Sequence, residues 1–498
     1  MKKLILSAAL AAALASPAAA QSAQDRVDAR YDRALAAGYK ALFLCSAIAN
    51  AEANGASRTP ESVHEWELTG IQQPLDGMIR EMEYEIVRRP TGQIAHVQVG
   101  WAEDMPDRVA VYYGPLTGCS ILPIGAPENT SAPEQPVEMP PKPEGDEAGA
   151  IIGESVLLSN GKRLGVSGKF SDPASERNKS VWPVLVDAFN IGKNSGKYGE
   201  GARTTAVLVR ELDGEGTTGF QGELYGPYHN ALTPQRTWSV AKSIASTLVG
   251  MAVHSGEHAV SDPVGLNYWR SGGRLDQRGD ITVDHALRMA TGRYSDTPGN
   301  RTDPIYWGGA TVDENMTKWP LIHPPGTVYR YANNDTLLAV KAVQQYLDYY
   351  SPADLLAKIG MTNTVVETDS RGNYVLSSQV WSTAPDLANL GQLYLQNGVW
   401  QGERLLPENW RDYVSDPSGP QPQGTQWGYG AGWWTFNRPD FNAFEGIPDD
   451  AFAARGNRGQ YVVVVPSRNV VIVRRGEDRV GTRFDIAAFT RDVLAALD

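Results

Sequence analysis

Two side chains that could form a nucleophile and its base stand three residues apart in the stretch TWSVAKSIAS, residues 237–246. A serine hydroxyl is a weak nucleophile without an adjacent base, and a lysine can be that base when burial and its neighbours lower its pKa. From Ser239 onward, apolar residues recur at helical spacing, while Ser239, Lys242, Ser243 and Ser246 form a narrow polar stripe. Residues i and i+3 are neighbours on a helix, so we expect the amine to reach the hydroxyl. In one interpretation this spacing serves covalent catalysis by Ser239, with free N–H groups at the helix N-terminus available to an oxyanion.

The same residues have a simpler interpretation, in which Ser239 caps the helix and Lys242 is a solvated charge. A second Ser-x-x-Lys pattern, SNGK at Ser159 to Lys162, contains Asn-Gly and predicts a hairpin turn instead of a helix. The pattern therefore arises without catalysis, and the stretch alone leaves the two interpretations equally open.

Two later segments favour the catalytic interpretation. HPPGTVYRYANN places Tyr331 and Asn333 in a loop before a helix, where a phenol can relay a proton and an amide can orient a substrate or the lysine. Near the C-terminus, ARGNRGQYVVVV places glycines before a strong β run, which would let a substrate approach an inner strand closely. Another Tyr-x-Asn stretch, YHN at Tyr228, is interpreted as a turn.

Taken in this order, the three segments resemble the motifs of the penicillin-recognising serine hydrolases. The resemblance is to the class C β-lactamase-related branch, which includes D-alanyl-D-alanine carboxypeptidases, β-lactamase-like esterases and 6-aminohexanoate-dimer hydrolases. It covers most of residues 200–498 and includes ALRMATGRYSD, PPGTVYRYANNDTLLA and WSTAPDLANLGQLYLQNGVWQGERLLPENW. WSVAKS together with GNRGQYVVVVP leans toward the 6-aminohexanoate-dimer hydrolase-like group.

The resemblance implies a role for each matching position. Ser239 would be the acylated nucleophile, Lys242 its general base, and Tyr331 a carrier of the proton to and from the leaving group. Backbone N–H groups of Ser239 and Gln460 would form the oxyanion hole. Substrate-binding roles would fall to Asn333, Asn457, Arg458 and Gly459.

The third motif departs from the family pattern. The family usually has Lys-Thr-Gly or His-x-Gly there, and the best match is Asn457-Arg458-Gly459, with neither lysine nor histidine at position 457. This departure weakens the expectation of β-lactamase activity more than that of hydrolysis. Arg455 or Arg458 could supply the missing charge, or both could be solvated surface residues.

Composition divides the 498 residues into four parts. Residues 1–20 have the charged start, short apolar run and small residues of a secretory signal peptide. Residues 21–122, a helical stretch followed by alternating strands, form an N-terminal module that could cover the site, form dimer contacts or bind an envelope component. Residues 123–150 are a Pro/Glu-rich linker. Residues 151–498 have strands at both ends of a helical middle.

This order of elements and the resemblance together predict an α+β fold of the β-lactamase/transpeptidase-like class. We expect an antiparallel sheet flanked by helices, with a helical subdomain and the small N-terminal module added to it.

Charge and cysteine content narrow the classes of function. The chain has 57 acidic and 45 basic residues, a net charge of −12, which disfavours nucleic-acid binding. The signal peptide predicts a periplasmic or secreted protein, and no later stretch is long enough for an integral membrane span. In an oxidising compartment we expect Cys45 and Cys119 to form a disulfide, although two separate buried thiols would fit the sequence too. Two cysteines cannot build a thiolate metal cage, and HSGEH at His254 lacks the glutamate of a metalloprotease helix, so no metal or cofactor is predicted.

The sequence thus predicts an exported serine hydrolase that cleaves a small-molecule ester, amide or peptide through an acyl-enzyme. Linear amides, D-amino-acid peptides and β-lactams are the candidate substrates. The alternative is a penicillin-binding-like envelope receptor that is acylated slowly or not at all.

Overall fold

The protein is described by a computed structural model. The described residues are 4–127, 151–157, 163–170, 176–191, 194–266, 269, 276–294, 303–438, 440–441 and 444–498, and for 4–21, 151–157 and 163–164 only the backbone is described. Most of the predicted linker and the SNGK turn therefore lie outside the described residues.

The described helices and strands have the following bounds. The helices are α1 Leu4–Ala53, α2 Pro60–Trp66, α3 Leu75–Ile79, α4 Glu176–Asp187, α5 Val240–His254, α6 Val283–Leu287, α7 Asp303–Tyr306, α8 Val312–Met316, α9 Asn333–Ala342, α10 Gln344–Tyr349, α11 Pro352–Ala357, α12 Ala384–Leu395, α13 Trp410–Ser415 and α14 Ile486–Leu497. The strands are β1 Tyr84–Arg88, β2 Ile94–Val99, β3 Arg108–Gly114, β4 Gly118–Ile121, β5 Ile151–Leu157, β6 Arg163–Phe170, β7 Thr204–Leu212, β8 Thr218–Tyr225, β9 Gln235–Arg236, β10 Val365–Val366, β11 Val380–Ser382, β12 Val399–Trp400, β13 Glu403–Arg404, β14 Gly428–Tyr429, β15 Trp434–Thr435, β16 Phe452–Gly456, β17 Gln460–Val465 and β18 Val470–Gly476.

A nine-stranded antiparallel sheet occupies the centre, in the order β14-β15-β16-β17-β18-β7-β8-β6-β5. The valine run of β17 alternates between two apolar clusters because successive side chains of a strand point to opposite faces. Val462 and Val464 pack in the cluster that contains α5 and α12, while Val463 and Val465 pack in the cluster that contains α4 and α14. Helices therefore cover both faces, which explains why β17 and β18 are buried along their whole length.

The C-terminal hairpin confirms its prediction from the sequence. β17 pairs with β18 from Tyr461↔Arg474 to Val465↔Val470, and PSRN forms the connection. Asn469 ends that connection with a φ of 51°, a left-handed backbone conformation that asparagine tolerates better than most residues.

The N-terminal module shares one hydrophobic core with the rest of the chain. Its own four-stranded sheet, β1-β2-β3-β4, packs against α1, and the buried side of α1 belongs to the same apolar cluster as α5 and α12. Tyr39 and Phe43 of α1 contact Trp307, Trp238 and Trp381 across the boundary that composition alone suggested at residue 122. The two sides of this boundary therefore differ in sequence composition but share one hydrophobic core.

The second half of α1 is apolar because it is a core helix. Among the described residues, the segment 22–53 is long and apolar enough to cross a membrane, yet its most apolar window is entirely buried inside the protein. In the structure α1 begins at Leu4, so the predicted signal peptide and the core helix form one continuous helix.

The predicted disulfide is present. Cys45 of α1 and Cys119 of β4 are bonded, with their Cα atoms 6.1 Å apart, and both residues are fully buried. The bond therefore fixes the long helix to the edge strand of the module's sheet.

Replacing Cys45 and Cys119 by serine together should lower the free energy of unfolding by about 2–5 kcal/mol. The bond closes a loop between cysteines 74 positions apart, so its removal restores chain entropy to the unfolded state. Urea unfolding of the variant and the oxidised wild type measures the difference. Identical midpoints and slopes would contradict the prediction.

A buried carboxyl group lies beside this disulfide. Glu367 is fully buried and accepts hydrogen bonds from the backbone N–H of Cys119 (3.0 Å), from Asn50 Nδ2 (3.2 Å) and from Trp381 Nε1 (3.0 Å). Burial raises its pKa to about 7, although these hydrogen bonds act in the opposite direction. The folded protein therefore holds this proton to a higher pH than the unfolded chain does.

Stability should fall as the pH rises from about 4.5 to 7, because the folded state binds more protons than the unfolded state in that window. The contribution of Glu367 is at most about 3 kcal/mol, present below pH 4.5 and lost above pH 7. Unfolding free energies of wild type and Glu367→Gln across this range test it through their slopes. Parallel curves would contradict the assignment.

Candidate active site

Ser239 lies at the first turn of α5, on a strained approach from β9. Trp238, the preceding residue, has a φ of 50°, which is uncommon for a bulky side chain and costs on the order of 1–3 kcal/mol. Ser239 itself has helical dihedrals, and its hydroxyl makes no capping hydrogen bond to the helix. The residue is partly exposed, so the hydroxyl is held at an accessible helix N-terminus without a structural task there.

Lys242 lies one turn further along and is 1% exposed. Its Nζ is 3.1 Å from Ser239 Oγ, 2.5 Å from Asn333 Oδ1 and 2.8 Å from the carbonyl oxygen of Ser377. The structure therefore does not support the simpler interpretation, because the lysine is not solvated and the serine is not a cap.

These three contacts limit which hydrogen bonds Lys242 can donate and accept. Amide and carbonyl oxygens only accept hydrogen bonds, so the contacts to Asn333 and Ser377 each require an N–H of the lysine. A neutral amine has two N–H groups and one lone pair. When Lys242 is neutral, its lone pair is therefore left for the O–H of Ser239, which is the arrangement of a general base.

Tyr331 and Asn333 reach the site from the segment that enters α9. Asn333 is the first residue of that helix and contacts Lys242, as described. The Tyr331 ring centroid lies 5.0 Å from Lys242 Nζ, and the ring packs against Tyr429 and Trp434 of the sheet edge. The structure thus brings together four of the predicted residues, from two segments ninety residues apart.

The third motif forms the turn between β16 and β17, and only part of it faces the site. A Cβ on Gly456 would collide with the carbonyl oxygen of Thr237, so the end of β16 runs directly beside the strand that leads to Ser239. Asn457, the next residue, is exposed. Gln460, in contrast, is 0% exposed, and its side chain is bound by Arg475 and by the carbonyl of Gly476. Of residues 457–460, Asn457 is therefore the most exposed, which makes it the better candidate for the oxyanion donor predicted at Gln460.

Arg458 points into the protein, and Gly459 lies against another internal arginine. Arg458 is 5% exposed, so it is not the solvated arginine that the sequence allowed, and its guanidinium binds carbonyls of the N-terminal module. Gly459 has a φ of 80°, and a Cβ there would collide with Arg474 Nη1. The glycine therefore makes room for an internal arginine, whereas the sequence suggested room for substrate.

The comparison with protein families agrees with this geometry. The family model described as Beta-lactamase matches residues 219–496, more than half of the chain. The chain belongs to the Beta-lactamase family. The expected fold is confirmed, because the match covers α5, α9 and the strands β14 to β18 that surround Ser239.

Two solved structures are similar to this Beta-lactamase family chain. "Putative 6-aminohexanoate-dimer hydrolase from Bacillus anthracis" is 18% identical, with a TM-score of 0.48, over 59% of this chain and 78% of that chain. "Crystal structure of putative beta-lactamase from Bacteroides dorei DSM 17855" is also 18% identical, with a TM-score of 0.44, over 59% of this chain and 89% of that chain. No curated protein matches the chain.

In this Beta-lactamase family chain, an arginine lies against the aromatic rings next to Tyr331. Arg455 Cζ is 4.0 Å from the ring centroid of Trp427 and 4.7 Å from that of Trp434, which in turn contacts Tyr331. Burial lowers the pKa of Arg455, and stacking on the rings compensates part of the lost hydration of its charge. Of the two arginines that the sequence offered, Arg455 is the partly exposed one.

Ser377 is a site residue that the sequence did not indicate. Its carbonyl accepts a hydrogen bond from Lys242, and its hydroxyl is 2.8 Å from the hydroxyl of Tyr306. Any residue type can supply a backbone carbonyl, so the amino-acid sequence contains no signal for this contact.

The histidines of HSGEH do not form a metal pair on one helix. α5 ends at His254, and Gly256 has a φ of 85°, so His258 lies beyond the helix. Within the described part of the chain, no group of three or more His, Cys, Asp or Glu residues is arranged to hold a metal ion. His229 of the YHN turn is buried against Arg58, a structural position.

Proposed function

We propose that the protein is a serine hydrolase that cleaves an ester or amide through an acyl-enzyme on Ser239. The observation that supports this most strongly is the 3.1 Å contact between Lys242 Nζ and Ser239 Oγ, with both remaining N–H groups of the lysine committed to fixed oxygens. A serine that lacks any capping role and a buried lysine at this distance are the parts of an activated nucleophile.

In the first half of the reaction, neutral Lys242 takes the proton of Ser239 as Oγ bonds to the carbonyl carbon of the substrate. The carbonyl oxygen becomes an oxyanion, which the backbone N–H groups of Ser239 and Asn457 stabilise. The bond to the leaving group then breaks, and the leaving group takes the proton from Lys242 with the help of Tyr331. The product is an ester of Ser239.

In the second half, water replaces the leaving group. The same base accepts a proton from the water as its oxygen attacks the acyl carbon, and Ser239 recovers a proton when the acid is released. These steps need only Ser239, Lys242, Tyr331, the two backbone N–H groups and water.

The walls of the site favour a small substrate with an apolar portion. Tyr331, Tyr429 and Trp434 form an aromatic surface next to Lys242, and Arg455 adds a positive charge at its far side. We propose that Arg455 takes the place of the missing lysine or histidine of the third motif and binds an anionic group of the substrate.

The protein is proposed to act in the periplasm or outside the cell. Cleavage near Ala20 would leave the buried part of α1 intact, since the side chains enclosed in the core begin at Ala34. A buried disulfide agrees with an oxidising compartment.

Purified protein should be tested on a panel of short-chain esters, linear amide oligomers, D-amino-acid peptides and a β-lactam. Multiple turnover of at least one substrate, lost in Ser239→Ala, is the expected result. Stoichiometric acylation without release would favour the receptor alternative, and no reaction with any ester or amide would contradict the proposal.

A further inference from the structure

The turn that borders the site is anchored to the N-terminal module through Arg458. This arginine has a φ of 58° and stands between Asn457 and Gly459. Its guanidinium donates to the backbone carbonyls of Trp66 (2.9 Å), Glu67 (2.7 Å) and Thr69 (2.7 Å). On the other side, its Nε is 2.9 Å from Glu477 Oε2.

Two of the three carbonyls that hold Arg458 come from the end of α2, where such groups have no partner within the helix. Trp66 is the last residue of α2, and Glu67 is its C-cap. The last carbonyls of a helix have no hydrogen-bond donor within the helix, and they carry the negative end of its dipole. A buried guanidinium donates hydrogen bonds to these carbonyls, and its positive charge complements the dipole. The contact therefore depends both on the orientation of the carbonyls at the end of α2 and on the positive charge of Arg458.

The acceptor loop is itself rigid. Arg58 binds Glu67 through two hydrogen bonds of 2.8 and 2.7 Å, and neither side chain is exposed. His229 Nε2 lies 3.2 Å from the same guanidinium. Gly70 ends the loop with a φ of 72°, and a Cβ there would collide with Arg479. The loop of residues 58–70 thus has little freedom to follow a moving turn.

A second contact between module and site reaches Lys242 from the other direction. Arg236 Cζ lies 5.0 Å from the ring centroid of Phe43 in α1. The same guanidinium donates to the hydroxyl (3.0 Å) and the carbonyl (3.3 Å) of Ser378. The preceding residue, Ser377, supplies the carbonyl that binds Lys242.

We infer that the N-terminal module is a positioning element of the active site and that Arg458 is its main positioning residue. Arg458 touches no reacting atom; it fixes the turn that carries Asn457 to the loop of residues 58–70. The inference rests on the proposed function, and it assigns to residues 21–122 a task within the catalytic cycle of the same chain.

Two pairs of variants test the inference in the full-length protein. Arg458→Lys keeps the charge but loses the forked set of hydrogen bonds. Its matched control is Arg210→Lys, a buried arginine on β7 whose hydrogen bonds go to Gln221, Asn389 and Gln392, away from the turn.

Gly70→Ala changes the module's side of the contact without touching the turn. Its control is Gly55→Ala, a glycine with a similar φ of 79° and no atom within 4 Å of an added Cβ. Each control thus carries the same substitution as the variant that it matches, at a position away from the contact between the turn and the N-terminal module.

The measurements are the rate at which a fluorophosphonate labels Ser239, and kcat and KM for a substrate found in the panel. Each variant is assayed at a temperature well below its midpoint of thermal unfolding. Arg458→Lys and Gly70→Ala should slow labelling and lower kcat about tenfold or more with little change in KM, because loss of one oxyanion donor costs about 10²–10³-fold and a shifted donor part of that. Both controls should label at the wild-type rate.

Labelling of Arg458→Lys and Gly70→Ala at the wild-type rate would overturn the inference, and so would equal slowing in all four variants. If Arg458→Lys does not fold, Gly70→Ala against Gly55→Ala decides the result. Absence of labelling in the wild type itself would instead contradict the proposed function, so the two failures can be told apart.

Discussion

Ser239→Ala should lose turnover by a factor on the order of 10⁴ to 10⁶ while keeping its fold. The hydroxyl is the proposed point of acylation, and removal of the nucleophile of such a unit costs about as much as removal of the whole unit. The hydroxyl caps no helix but is hydrogen-bonded to the buried Lys242, so its loss should lower the free energy of unfolding by no more than about 1–3 kcal/mol. Steady-state rates and urea unfolding of the same preparations measure both effects.

Ser246→Ala is the matched control for this variant. Ser246 lies on the same polar stripe of α5, is fully buried, and donates to the carbonyl of Ala431 at 2.8 Å. It should lose some stability, because an acceptor is left unsatisfied, and keep turnover. The opposite pattern, an active Ser239→Ala and an inactive Ser246→Ala, would contradict the assignment of the nucleophile.

Lys242→Met should slow acylation about 10²–10⁴-fold, the usual contribution of a general base. In the wild type the acylation rate should rise with pH as the amine loses its proton, since only the neutral amine can accept the proton of Ser239. The variant should lack that ionisation in its pH–rate profile. Single-turnover acylation measured across a range of pH separates this effect from substrate binding.

Lys242→Arg distinguishes a base from a fixed cation. An arginine keeps a positive charge beside Asn333 and Ser377 but is not deprotonated in proteins. We expect this variant to be as slow as Lys242→Met, with folding checked by circular dichroism. Wild-type acylation by Lys242→Arg would show that charge alone suffices and would contradict the proposed mechanism.

The sequence predicted the helix of the nucleophile well because one physical pattern determined it. The apolar spacing after Ser239 requires a buried helix, and burial of that helix takes Lys242 out of water. The β17–β18 hairpin was predictable for the same reason, since two valine runs separated by PSRN have few other ways to satisfy their backbone.

The third motif was harder because spacing does not reveal which way a turn faces. Arg458 and Gly459 resemble a substrate-binding pair in the sequence, yet the Arg458 side chain points inward and Gly459 makes room for Arg474. Arg458 binds residues almost 400 positions away, a contact that no local pattern encodes. The module's role was hidden for a related reason: its composition differs from that of the rest of the chain, although its core does not.

Intact-mass analysis after incubation with a fluorophosphonate is the most direct test of the proposal that Ser239 is an activated nucleophile. We expect the mass of one adduct per chain, located on Ser239 by peptide mapping, and no adduct in Ser239→Ala. An unmodified wild-type chain, or an adduct that persists in Ser239→Ala, would contradict it.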